Sequence, residues 1–166
     1  KKNKYNTIIL CSGGIGITPM RSIIQQLVSE INRGRQIEKI IFIWSGKTLD
    51  DYTYWYNSLC NQGPIANTLL ENRKYLDIRL HLTGSTPRTG DTSVEPLNCT
   101  YGRPNYDKIL HDIAAVAAED MNDNKKKSIA VLGCGPDKMM SDLANATYKQ
   151  SNSNVTFDLH LETFAL

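Results

Sequence analysis

Gly13-Gly14-Ile15-Gly16-Ile17-Thr18-Pro19-Met20, GGIGITPM, is the stretch that decides the fold. It follows the apolar run Ile8 to Leu10 and opens an amphipathic stretch, Met20 to Ile31, which is the pattern of a strand, a tight glycine turn and a helix start. Gly14 and Gly16 suit positive φ and leave the backbone bare. Thr18 suits an N-cap, and Pro19 the first helical turn, where its missing N–H costs little. Bare amides at a helix N-terminus attract phosphate. A dinucleotide fingerprint has a third glycine where this chain has Pro19, so the turn is a G-x-G-x-x-P variant. Alone, it also fits a βα turn that binds nothing.

Outward from this turn the chain alternates strands and helices. Ile23, Ile24, Leu27, Val28 and Ile31 keep helical spacing up to Gly34, where a helix would stop. Ile40 to Trp44 is continuously apolar, as in a parallel strand covered on both faces, and Asp50 can cap a helix through Tyr54, Trp55 and Leu59. The aromatics Tyr52, Tyr54, Trp55 and Tyr56 read as helix packing on the sheet, with a stacking platform as the other reading. Gly63-Pro64 breaks that helix, Ile65 to Tyr75 is a further short helical segment, and Ile78 to Thr83 is a strand. Gly84 to Asn105 has no periodic apolar pattern and is expected to be a long functional loop. Tyr106 to Ala118 is the next helix and Ile129 to Leu132 the fourth strand. Gly133-Cys134-Gly135-Pro136 then repeats the first turn, with Pro136 at a first helical position before the helix Met139 to Tyr148. Val155 to Leu161 closes the pattern.

The order predicts a doubly wound α/β fold: a mostly parallel five-stranded sheet with helices on both faces and ligand at the carboxyl ends of the strands. With 166 residues and 40% hydrophobic content, one globular domain spanning 1–166 is expected. Nineteen basic against seventeen acidic residues, a net charge of +2, exclude a nucleic-acid footprint, and Lys125-Lys126-Lys127 reads as a solvated loop. Cys11, Cys60, Cys99 and Cys134 form no C-x-x-C pair, which disfavours a metal site and a disulfide framework. No apolar run approaches the roughly 20 residues that span a bilayer, so this stretch reads as soluble. Nothing in it predicts a homo-oligomer.

Three features converge at the predicted ligand edge: the first glycine turn, Ser45-Gly46-Lys47 after the second strand, and Cys134-Gly135-Pro136 after the fourth. An NAD site would show an acidic residue at the end of the second strand. Here a hydroxyl and an ammonium stand instead, which would welcome a 2′-phosphate. Asp50 and Asp51 are better explained by capping, and Lys47 as an ordinary solvated lysine is the competing account.

GGIGITPM, WSGK, LTGS at Leu82 to Ser85, YGRPNYD at Tyr101 to Asp107, LGCGPDKM and the closing FDLHLETF resemble the NADPH-binding half of the NADPH oxidase and ferric reductase family, in the ferredoxin-NADP reductase superfamily. The resemblance runs over essentially the whole chain in the right order. It implies that Gly13, Gly14, Gly16, Thr18 and Pro19 cradle pyrophosphate, and that Ser45, Lys47, Arg103 and Pro104 surround the adenosine phosphate. It further implies that Cys134, Gly135 and Pro136 lie beside the nicotinamide, with Glu162 and Phe164 flanking nicotinamide and flavin. Phe164 would shield the flavin ring until nicotinamide displaces it; a strand-end aromatic covering the core is its other reading. Cys134 is no nucleophile on this reading, and a small buried apolar residue is its plain alternative. Two departures stand out: Ala165 and Leu166 extend beyond the aromatic, and Lys47 replaces an arginine common in relatives, giving a point charge rather than a bidentate fork.

The resemblance implies NADPH as cofactor. FAD would be bound mainly by a preceding barrel of the same parent chain, and haem by a membrane domain before that. The parent would carry electrons from NADPH across a membrane to oxygen or to ferric iron, with this domain on its cytoplasmic side and inactive alone. Two other classes remain: a non-catalytic nucleotide-sensing module that kept the fold, and another α/β enzyme such as a methyltransferase, whose acidic ribose clasp is missing here.

Overall fold

A computed structural model describes residues 4–60, 75–84, 98–119 and 125–162, with the side chains of 55–60 and 98 left aside. Among the described residues six strands, β1 (Thr7–Gly13), β2 (Lys39–Gly46), β3 (Leu76–Leu82), β4 (Asn98–Tyr101), β5 (Lys127–Cys134) and β6 (Val155–Leu161), form one sheet in the order β4-β3-β2-β1-β5-β6. Every neighbouring pair is parallel. The α-helices among the described residues are α1 (Ile17–Asn32), α2 (Leu49–Cys60), α3 (Tyr106–Glu119) and α4 (Asp137–Gln150).

Alternation along the central strands builds two cores. Ile8 and Leu10 of β1, with Ile40, Phe42 and Trp44 of β2 and Leu80 of β3, pack beneath Met20, Ile24, Leu27 and Val28 of α1 and Tyr52 of α2. Ile9 and Cys11, with Ile41, Ile43, Ile129, Val131 and Phe157, pack beneath Tyr106, Leu110 and Ile113 of α3 and Met140, Leu143 and Ala146 of α4. Both faces of the sheet are thus helix-covered, which is why β1 and β2 read as continuous apolar runs. Tyr52 is buried against Trp44 at a centroid distance of 5.6 Å, as helix packing on the sheet requires, while Tyr54 is exposed. Lys4 and Tyr5 both bond the Asp158 carboxylate, at 2.7 and 2.8 Å, and pin the lead-in to β6.

The sheet has one strand more than the sequence predicts. β4 lies inside the segment read as loop, paired from Arg79–Asn98 to Leu82–Tyr101; Asn-Cys-Thr-Tyr is too short to show a period. The turn before the last helix therefore follows the fifth strand. The predicted helix Ile65 to Tyr75 falls almost wholly outside the described residues. Gly34, at φ 97°, ends α1 as expected, its N–H donating to the Ile31 carbonyl at 2.9 Å.

Candidate functional site

β1 runs buried from Ile8 to Gly13 and ends in a single 3-10 turn, Gly14–Gly16. Gly14 has φ 56°, and a side chain there would meet open space. Gly16 differs from expectation: its φ of −59° is helical, and its reason is proximity. A Cβ at Gly16 would stand 2.1 Å from the Cys134 carbonyl oxygen. Gly16, not Thr18, is the N-cap of α1; Thr18 and Pro19 lie inside the first turn. The helix has neither a side-chain cap nor an acid in that turn, so its N-terminal amides keep their positive character.

The second turn closes on the first. Gly133 and Cys134 are the last residues of β5 rather than the start of the loop, and Pro136 is the N-cap of α4 rather than its first residue. A Cβ at Gly13 would lie 2.6 Å from Met139 Sδ and 3.1 Å from Pro136 Cδ, and one at Gly135 would lie 3.2 Å from the Gly13 nitrogen. The glycines therefore let the β1 and β5 turns interlock where the strand order reverses, the switch point at which ligands bind in open α/β sheets.

Cys134 is 1% exposed. Burial first, and then the Glu162 carboxylate, push its thiol above the ordinary range, so it is a neutral, soft side chain rather than a nucleophile. Glu162 is exposed just beyond β6, its N–H donating to the Gly133 carbonyl at 2.9 Å. Ser12 escaped sequence reasoning. It sits between Trp44 and Cys134 in the sheet, fully buried, with no hydrogen-bond partner for Oγ. Its only signal was a polar residue ending an apolar strand. Phe164 lies outside the described residues.

The ends of β2, β3 and β4 form a separate group. Ser45 and Gly46 close β2, and Lys47 is exposed beyond it. Gly46 rests on the Trp44 indole, which a Cβ would approach within 2.7 Å. Thr83 donates to the Gly46 carbonyl through N (2.9 Å) and Oγ1 (3.3 Å), and the Gly84 N–H to the Lys47 carbonyl (3.2 Å). Gly102, at φ 100°, donates to the Leu82 carbonyl at 2.8 Å and leads into exposed Arg103 and half-buried Pro104. Thr48, not Asp50, caps α2: its hydroxyl accepts from the Asp51 N–H (3.4 Å) and donates to the Asp51 carboxylate (3.0 Å).

All described members of the predicted set thus stand at the carboxyl edge, in two groups. They fit a dinucleotide. Bare backbone at Gly14, an uncapped helix N-terminus and an orphaned Ser12 hydroxyl suit diphosphate and polar ring substituents, and Ser45, Lys47 and Arg103 suit a further phosphate. A cavity of about 420 Å³ opens at the opposite edge, by Thr7, Lys39, Asp77 and Lys127, away from this chemistry. No His, Cys, Asp and Glu cluster able to hold a metal occurs among the described residues.

The family model that matches is the ferric reductase NAD binding domain, over residues 5–93 and 88–148. A superoxide-generating NADPH oxidase heavy chain of Dictyostelium discoideum is 26% identical over 97% of this chain, which covers 32% of that protein. NADPH oxidase 4 of Homo sapiens is 25% identical over 97% of this chain and 27% of its own length. The chain thus spans about a third or less of these relatives. A ferredoxin NADP+ reductase from Neisseria gonorrhoeae, solved with bound FAD and NADP, superposes with a TM-score of 0.55 at 13% identity, covering 95% of this chain and 57% of that one. A flavohemoglobin from Malassezia yamatoensis gives 0.52 at 13%, over 96% and 33%. At such identities the likeness shows the shared fold. Among the described residues no helix is long and apolar enough to cross a membrane.

Proposed function

This chain belongs to the ferric reductase NAD-binding domain family, and from that premise we propose that it is the NADPH-presenting part of a longer flavin-dependent, membrane-bound oxidoreductase of the NADPH oxidase kind. When bound, NADPH supplies a hydride for FAD on a neighbouring domain, with electrons passing on through haem to oxygen. The observation that carries the reading is the interlock of the β1 and β5 turns at the switch point, with Gly14 left bare beside an uncapped helix.

In this reading the chain's own groups divide the work. Gly13, Gly14, Gly16, Thr18 and Pro19 hold the diphosphate at the start of α1. Ser45, Lys47, Arg103 and Pro104 select the adenosine 2′-phosphate. Gly135 and Pro136 shape the floor under the nicotinamide, Cys134 packs against its reactive face, and Glu162 with Phe164 borders the flavin side. The neighbouring FAD domain precedes this one, and this domain lies on the cytoplasmic side of the membrane that holds the parent protein. The superoxide-generating relative favours oxygen as terminal acceptor, whereas the family's description by ferric reductases keeps iron as the second reading.

An amide chemical-shift titration of this chain with NADP⁺, NAD⁺ and adenosine 2′,5′-bisphosphate tests the proposal. Shifts at Gly14, Gly16, Lys47 and Arg103 with a clear preference for NADP⁺ are expected. No response to any of the three would overturn it.

A further inference from the structure

His81 Nδ1, buried and unpartnered near the end of β3, is a single group; the cavity of about 420 Å³ at the opposite edge of the sheet gathers several. Thr7, Lys39 and Lys127 open β1, β2 and β5. By alternation they share a face with Ile9, Ile41 and Ile129, the face that α3 covers. Ile41 and Ile129 form an apolar floor, and Ile113, Val116 and Ala117 of α3 form the wall. Val116 is 61% exposed there. The volume lies within the range of ligand pockets, whose walls are mostly apolar with a few placed polar groups.

The charges around this cavity do not cancel. Asp77 pairs with Arg79 at 3.0 Å, and Asp112 with Lys108 at 2.8 Å. Lys39 and Lys127 are half-buried, yet neither has a carboxylate partner among the described residues, whereas Lys4, Lys108, Lys138 and Lys149 each reach an aspartate. Drawing an ammonium partly out of water without a counter-ion costs free energy. Against these two lysines stands Glu38, which accepts from Asn6 Nδ2 at 3.4 Å, so one positive charge is left over. Lys39 and Lys127 sit on the two strands that flank β1, about 10 Å apart at the backbone, and both stems can reach one group between them. We propose that this cavity binds a monocarboxylate with an apolar body, its carboxylate held by Lys39, Lys127 and the Thr7 hydroxyl and its hydrocarbon part lying over Ile41, Ile129 and Val116. At about 30 Å³ per water-sized group the cavity takes about fourteen non-hydrogen atoms, which is a chain of about ten carbons with its headgroup. A second negative charge on the ligand would face Glu38, Asp77 and Asp112, which disfavours a phosphate dianion. The site lies away from the carboxyl edge and does not depend on the NADPH reading.

The test titrates decanoate, decanol and acetate separately into the 166-residue chain and follows amide chemical shifts. Decanoate is expected to give saturable shifts centred on Thr7, Lys39, Ile113 and Val116. Decanol, which has the apolar body alone, and acetate, which has the charge alone, should bind at least about tenfold more weakly. Lys39→Gln and Lys127→Gln should each weaken decanoate about fivefold or more and leave decanol unchanged. Val116→Glu, a change at an exposed position that sets a like charge at the rim, should weaken decanoate about tenfold. Equal affinity for decanoate and decanol would mean apolar partition alone, and equal affinity for decanoate and acetate would mean an ion pair at surface lysines alone. Either result overturns the proposal, as does binding elsewhere on the chain or no binding. A chain that fails to respond to NADP⁺ still tests this site, because the readout lies at the other edge of the sheet.

Discussion

Replacing Gly16 by alanine puts one methyl group into the interlock of the two turns. The backbone at Gly16, φ −59° and ψ −8°, accepts any residue, so the cost is steric. The new Cβ would lie 2.1 Å from the Cys134 oxygen and 2.7 Å from its carbonyl carbon. Carbon and oxygen rest about 3.3 Å apart even in close contacts, so one turn must retreat by about 1.2 Å. No rotamer change relieves this, because the obstructing atoms are backbone at the end of a paired strand, where Ser12 faces Cys134. Overpacking of this kind costs about 1–3 kcal/mol, and a backbone obstacle puts Gly16→Ala at the upper end, about 3 kcal/mol. In urea, with a slope of about 2 kcal/mol per molar, the midpoint should fall by about 1.5 M. Gly14 provides the contrast, since its φ of 56° penalises any side chain while space is open. Gly14→Ala should cost about 1–2 kcal/mol, and Gly14→Asn less, because asparagine tolerates the left-handed region. Asparagine should give no such relief at Gly16. An unchanged midpoint for Gly16→Ala, or rescue there by asparagine, would refute the close approach of the turns.

Lys47→Ala should weaken NADP⁺ binding roughly ten- to a hundred-fold with little effect on NAD⁺, read by calorimetry, since a charge-assisted bond is worth about 1.5–3 kcal/mol. Tyr106 is buried with an unpartnered hydroxyl, so Tyr106→Phe should raise stability by about 1 kcal/mol in urea unfolding; a loss would mean that the hydroxyl is bonded after all. Cys134, buried with a raised pKa, should resist iodoacetamide in the folded chain and react fully in urea, as peptide mass spectrometry will show; rapid labelling of folded protein contradicts a neutral buried thiol. His81 has its pKa lowered in the fold, so the unfolded chain takes the proton first: its neutral form is fully accommodated above about pH 6.5, and stability is lost as pH falls through the folded value. His81→Gln should therefore lose less melting temperature than the unsubstituted chain between about pH 7.5 and 5; equal losses would assign the pH dependence to other groups.

The sequence carried the fold well where period and burial coincide. β1, β2 and β5 are apolar because helices cover both faces of the sheet, and α1 announces itself by spacing. β4 was hidden because a four-residue edge strand has no period and is recognised only by its partner, β3. Cap positions slipped by one or two residues for a similar reason. Thr18, Asp50 and Pro136 have the right chemistry for helix starts, but Gly16 and Thr48 occupy the N-caps of α1 and α2, and where the first helical hydrogen bond falls is decided in three dimensions. The glycine turn was legible as chemistry and misread in detail: Gly14 is there for its φ, Gly16 for its distance to Cys134, a contact across many residues that no local pattern encodes. Ser12 and His81 lacked a motif. Each matters through what it fails to bond, which depends on three-dimensional surroundings.

The carboxyl edge is fastened as two separate seams. One joins β1 to β5 by interlocked glycines. The other ties β2, β3 and β4 through Gly46, Lys47, Leu82 and Gly102. The two seams adjoin where Gly13 pairs with Ser45, but they are built from different residues. On the proposed reading, substitutions along the second seam retune which nucleotide is admitted while the first keeps its spacing, and a change in the first is felt whatever nucleotide is chosen. On that reading, a lineage drifting between NADPH and NADH would leave its record at positions 45–47, 82–84 and 102–104, with the glycines at 13, 14, 16 and 135 held still.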